Sequence, residues 1–133
     1  MFNIVFSKCC KCQKNNNHEN YPLCDNCQSE LKIDNQINGA LNNEKNIGKT
    51  YRIWCKENGH PKLKYEKHLI KDNPDKYKDY YSCFIGTLSI VFNDKWNYGE
   101  LMSFNKVSFV NKKNKIIDNW HIHINDVLFY EMI

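Results

Sequence analysis

Residues 7–32 read SKCCKCQKNNNHENYPLCDNCQSELK, and five of the chain's 7 cysteines fall inside this polar stretch. Apart from Tyr21, Leu23 and Leu31 the stretch offers almost nothing apolar to bury, so a core of its own is out of reach. Cys9 and Cys12 are separated by two residues, as are Cys24 and Cys27. A two-residue gap lets both thiolates of a pair face one ion while the intervening amides turn toward the sulfurs, and two such knuckles make a tetrahedral zinc site. Metal binding can then supply on the order of 10 kcal/mol of folding free energy that the apolar content lacks.

The reading commits to Cys9, Cys12, Cys24 and Cys27 as ligands of one structural zinc ion. Cys10 competes with Cys9, but only Cys9 repeats the spacing of the second pair. His18, between the pairs, is a further possible replacement. The alternative for the whole cluster is a set of free thiols. A catalytic thiol fits poorly, because a zinc-bound cysteine is fully engaged.

The pattern CCKCQK…YPLCDNCQSELK resembles the treble-clef and zinc-ribbon class of zinc fingers over about the first thirty residues. In the treble-clef form the second Cys-x-x-Cys opens a helix. Here Asp25 and Asn26 stand where a helix begins and Gln28 to Leu31 continue it. The resemblance implies the same four ligands. It carries little about function, because such modules serve nucleic-acid binders, nucleases and protein-interaction adaptors alike.

Outward from the cysteines, Leu31, Ile33, Ile37 and Leu41 suggest a short helix that Gly39 and the polar run after Leu41 weaken at its far end. From Thr50 the pattern turns to strands. TYRIWC alternates, with Tyr51, Ile53 and Cys55 on one face and Arg52 and Trp54 on the other, and Asn58-Gly59 signals a hairpin. YYSCFIGTLSIVF reads as a buried strand bent at Gly86. GELMSFNKVSFV, a turn at NKKN, KIIDNWHIHI, a turn at Asn125-Asp126 and VLFYEMI read as a meander. The expected fold is α+β: a zinc module over 1–45, then over 46–133 a mostly antiparallel sheet or small barrel of about five or six strands.

At 133 residues and a formal charge of +4, the chain has room for one core and a mild preference for anionic partners. Arg52 is the sole arginine. Lysine is a point charge suited to phosphate, so backbone contact is expected rather than base readout. The excess of Asn, Lys and Ile speaks for an AT-rich genome rather than for a function. The opening MFNIVF lacks the basic flank of a signal peptide, and no run approaches the ~18 apolar residues of a membrane span. An intracellular setting, cytoplasmic or nuclear, is therefore expected, where clustered thiols read as metal ligands.

Lys62, Lys64, Lys67, Lys71, Lys76 and Lys78 interleave with Tyr65, Tyr77, Tyr80 and Tyr81, and Lys112 and Lys113 mark a second basic turn. Lysines to phosphate with aromatics to base faces is a recipe for sequence-tolerant binding. Glu66, Asp72, Asp75 and Asp79 dilute the patch, and a plain solvated surface is the competing account. His121 and His123 share a strand face and could serve a second metal site, or simply face solvent while Trp120, Ile122 and Ile124 turn inward. Cys55 and Cys83 read as buried inert thiols. There is no phosphate-binding glycine loop and no Ser-His-Asp set, and no small-molecule cofactor is implied.

These readings converge on a non-enzymatic zinc protein contacting nucleic acid, an accessory in transcription or genome handling. An adaptor for a protein partner is the second reading. A metal-dependent nuclease using His121 and His123 is the third.

Overall fold

The computed structural model describes residues 8–9, 11–16, 23–55, 83–109 and 112–133; of 110–114 only the strand from residue 112 is given. The elements are α1 (Asp25–Asn38), β1 (Thr50–Cys55), β2 (Cys83–Phe92), β3 (Leu101–Phe109), β4 (Lys112–Ile117), β5 (Trp120–His123) and β6 (Val127–Met132). The Asn58-Gly59 hairpin and the tyrosine-interleaved lysines from Lys62 to Lys78 lie outside the described residues, as do Cys10 and His18.

One antiparallel sheet runs in the order β4-β3-β2-β1-β6, with β5 also paired to β3. The fold is thus the expected α+β arrangement, but the small-barrel alternative does not hold: the outer strands β4 and β6 do not pair, so the six-stranded sheet stays open. β3 is long enough to serve two partners. Leu101–Phe104 pairs with β5, and the far half of the strand pairs with β4.

That division corrects the reading of KIIDNWHIHI as one strand. The run breaks at Asp118 and Asn119, where Asn119 takes φ +56° opposite Lys106 at φ +53°. Two short polar side chains make the break stable. The Asp118 carboxylate accepts the Lys106 N–H at 2.9 Å, and the Asn105 amide oxygen accepts the Asn119 N–H at 3.1 Å. Asn and Asp readily satisfy nearby backbone donors in this way. The NKKN segment, expected as a turn, instead contributes Lys112 to Asn114 to β4.

The alternation in TYRIWC sorts two clusters onto the two faces of the sheet. Tyr51, Ile53 and Cys55 join Phe84, Leu88, Met102, Phe104, Phe109, Trp120 and Ile122 in the larger core. Phe84 sits among Phe104, Phe109 and Trp120 in edge-on contacts at 5.5–6.5 Å between ring centroids, the geometry the ring quadrupoles favour. Trp54 points the other way, opposite Cys83 on β2 and Phe129 on β6, and these form the floor for α1 and the cysteine cluster.

α1 buries only Cys27 and Leu31. Ile33 and Ile37, expected on its apolar side, are exposed at 58% and 77%. Leu41 is buried, but in the larger core and beyond the helix. The helix stops at Gly39, whose φ of +82° is one a glycine accepts without cost. α1 covers the edge strand β6 through Asn35. The Tyr130 N–H donates to Asn35 Oδ1 at 3.1 Å, and Asn35 Nδ2 donates to the Tyr130 carbonyl at 2.6 Å. One side-chain amide thereby satisfies an exposed donor and acceptor that would otherwise invite another strand.

The bend in β2 falls where Gly86 was read. Register shifts between Ile85 and Thr87, and a Cβ at Gly86 would meet Val107 Cγ2 at 3.0 Å and the Phe104 Cβ at 3.3 Å. β3 therefore lies against the bare glycine backbone. Gly86→Ala is expected to cost about 1–3 kcal/mol through overpacking, seen as a lower urea midpoint with unchanged m-value.

Candidate metal centre

Cys24 occupies the N-cap of α1 and Cys27 follows within its first turn, so one helical start aims both sulfurs the same way. The Cys24 side chain makes no capping hydrogen bond and leaves its sulfur free. Gln28 steadies the turn: its N–H donates to the Cys24 carbonyl at 3.0 Å and its Nε2 to the Leu23 carbonyl at 2.9 Å. Free N–H groups at a helix start favour negative charge, here thiolate.

The first pair is held by a tight reversal. The Gln13 N–H donates to the Cys9 carbonyl at 2.9 Å, and the Cys9 N–H donates to the Lys14 carbonyl at 2.9 Å. Gln13 takes φ +65°, and Lys8 bridges to Asn15 across the reversal. Lys11 ties this loop to the sheet. Glu131 on β6 accepts from Lys11 Nζ at 2.9 Å and from Arg52 at 2.7 Å, and that bond holds the Lys11 ammonium above its ordinary pKa.

The four sulfurs of Cys9, Cys12, Cys24 and Cys27 all lie within 4.8 Å of one another. Cys12 and Cys24 Sγ stand 3.8 Å apart. Four sulfurs at ~2.3 Å from a tetrahedral ion would be ~3.8 Å from each other, so both chemistry and spacing fit a metal. No two described cysteines form a disulfide. Among the described residues this is the one convergence of three or more His, Cys, Asp or Glu ligand atoms.

The thiols carry the mark of crowding. Burial acts to raise the Cys9 pKa, but N–H donors of Cys12, Cys24 and Lys11 outweigh it and hold the thiol at about 6. Burial pushes Cys27 strongly upward, reinforced by hydrogen bonds to Cys24, Cys9 and Cys12. Such a set shares protons poorly, and a cation that displaces them relieves the conflict. The centre is closed on the sheet side by Leu23, Leu31, Trp54 and Cys83. On the other side it opens to a cleft of about 660 Å³ lined by Lys11, Lys14, Asp25, Asn26 and Glu30.

The remaining sequence candidates fall elsewhere. Cys55 is fully buried, and burial raises its pKa strongly, as suits an inert thiol. Cys83 is equally buried, though on the metal side of the sheet rather than in the larger core. Trp120 and Ile122 face inward. His121 sits edge-on to Phe92 at 5.5 Å. His123 accepts the Asn125 N–H on Nδ1 at 3.1 Å, so Nε2 carries the ring proton, 3.2 Å from Glu100. Lys112 and Lys113 lie on β4, their side chains outside the described residues.

The sequence reading passed over the turn between β2 and β3, NDKWNYG. Trp96 and Tyr98 are exposed there at 80% and 77%. Lys95 Nζ stands 4.9 Å above the Trp96 ring. The turn is firm, because Asp94 accepts from the backbone N–H groups of Trp96 and Asn97 at 2.9 and 2.8 Å, bonds that lower its pKa. The available signal was two large aromatics inside a run of Asn, Asp and Gly, a composition that forms turns and cannot bury them.

No protein-family model matches the chain, and no curated protein or solved structure is detectably similar to it. No helix among the described residues is long and apolar enough to cross a membrane.

Proposed function

We propose that this chain is a non-enzymatic, zinc-stapled protein that contacts single-stranded nucleic acid. Convergence of four cysteine sulfurs within 4.8 Å carries the metal half of the reading. Zinc is the ion that four thiolates in tetrahedral array suit best, and a closed set of four protein ligands marks a structural role. A knuckle followed by a Cys-x-x-Cys that opens a helix supports the treble-clef assignment.

The nucleic-acid half rests on the NDKWNYG turn. Solvent-facing Trp96 and Tyr98 on a hydrogen-bonded turn beside Lys95 offer ring faces for bases and charge for phosphate, and the formal charge of +4 works in the same direction. Stacking of this kind tolerates any sequence, in keeping with a chain whose positive charge is nearly all lysine.

The test is a titration of a fluorescent single-stranded oligonucleotide. For about three or four phosphate contacts, affinity should fall roughly twenty- to fiftyfold between 50 and 200 mM salt. Trp96→Ala should weaken it about tenfold or more. A protein-docking role for the same turn is the second reading, since exposed Trp and Tyr also anchor protein interfaces. Absence of oligonucleotide binding at low salt would sink the first and leave the second standing.

A further inference from the structure

The segment between α1 and β1 lines a cavity apart from the cysteine cluster. A cavity of about 160 Å³ is lined by Asn38, Lys45, Asn46, Lys49, Tyr51 and Tyr130, with Met132 at its edge. No carboxylate among the described residues lines it. Neither Lys45 nor Lys49 has an acidic partner within ion-pair distance among the described residues. The neighbouring Glu44 carboxylate accepts instead from Asn93, at 2.9 Å.

The polar groups of the wall divide into those already used and those still open. Asn46 spends its amide N–H groups on the Ala40 and Leu41 carbonyls. The Tyr130 hydroxyl donates to the Gly39 carbonyl. Tyr51, largely buried as a residue, contributes to the same wall. Two ammonium groups and a tyrosine around a cavity with no carboxylate among the described residues suit a small oxyanion.

We infer that Lys45, Lys49 and Tyr51 form a binding site for a phosphate group. The group could belong to a nucleic-acid backbone or to a free phosphate ester. The location favours continuity with the aromatic turn. Asn42 Nδ2 donates to the Gly99 carbonyl at 2.8 Å and Asn93 Nδ2 reaches Glu44, so the lysine segment and the NDKWNYG turn are tied side by side. The site depends neither on the metal nor on the nucleic-acid reading.

The test is calorimetric titration of the full chain with inorganic phosphate at low ionic strength. Saturable one-site binding is expected. The Lys45→Gln/Lys49→Gln double variant should weaken it at least about tenfold, and Tyr51→Phe by about three- to tenfold. Both lysines are exposed, so the double variant keeps the fold, and its thermal midpoint verifies that. Competition assigns the source. Displacement by a single-stranded oligonucleotide points to a backbone phosphate; displacement by a nucleoside monophosphate alone points to a free ester, and would count against the nucleic-acid function while keeping the site. Phosphate that fails to saturate, or that binds the double variant as well as the parent, overturns the inference.

Discussion

Stripping the metal from Cys9, Cys12, Cys24 and Cys27 is expected to lower the thermal midpoint by roughly 15 °C or more. Zinc binding to peptides of this kind is worth about 10–16 kcal/mol at neutral pH, against a total stability of about 5–15 kcal/mol for an ordinary domain. Part of that binding energy is consumed in bringing the four cysteines together, and the larger core persists on the far face of the sheet. If even about 5 kcal/mol survives as net stabilisation, a chain of this length loses about 3–4 °C for each of them. Native mass spectrometry should count one zinc per chain before chelation and none after it. Cys27→Ser should reproduce the chelated state, since Cys27 is buried and central to the cluster. Cys10→Ser should leave the metal count unchanged, because the four gathered sulfurs complete a tetrahedron without it. A midpoint indifferent to chelator, with no metal in the intact protein, would remove the centre from the account of this fold.

Much of this arrangement was legible in the residues, for identifiable reasons. Paired cysteines with matching gaps carry their geometry in their spacing, so Cys9, Cys12, Cys24 and Cys27 could be grouped before any coordinates. Period-two alternation told which side of β1 each residue faces, and Tyr51, Ile53 and Cys55 do lie apart from Trp54. Side-chain period is a local property of a strand. What failed depends on distant partners. Ile33 and Ile37 look like core residues to a helical template, but α1 meets the sheet through Cys27, Leu31 and the amide of Asn35, and leaves both isoleucines in water. KIIDNWHIHI looks continuous because its apolar residues keep alternating. The break at Asp118 is imposed by Asn105 and Lys106 on β3, across the ladder. The phosphate seat was invisible for the same reason: Lys45, Lys49 and Tyr51 acquire meaning only when Tyr130 and Met132 close the other wall.

Trp54→Ala is expected to be the most damaging single substitution outside the metal ligands, at about 3–5 kcal/mol. Trp54 is fully buried and sits between two structures that cannot bury themselves. On the neighbouring strands it is flanked by Cys83 and Phe129, and above it lie Cys9, Leu23, Cys24, Cys27 and Leu31. Truncation leaves a cavity under the metal centre and removes the apolar surface on which the cysteine segment rests. The indole N–H has no hydrogen-bond partner among the described residues, so Trp54→Phe deletes an unsatisfied donor along with some volume. The two changes oppose each other, and Trp54→Phe should cost under about 1.5 kcal/mol. A cycle combining Trp54→Ala with chelation then measures what the tryptophan does. If it is the shared floor of sheet and metal module, the two losses should fall short of their sum by about 0.5–3 kcal/mol, because the first already forfeits contacts that the second would remove. Urea midpoints of the four species supply the numbers. Losses that add within about 0.5 kcal/mol would mean that the zinc module stands on its own and that Trp54 merely fills space beneath it.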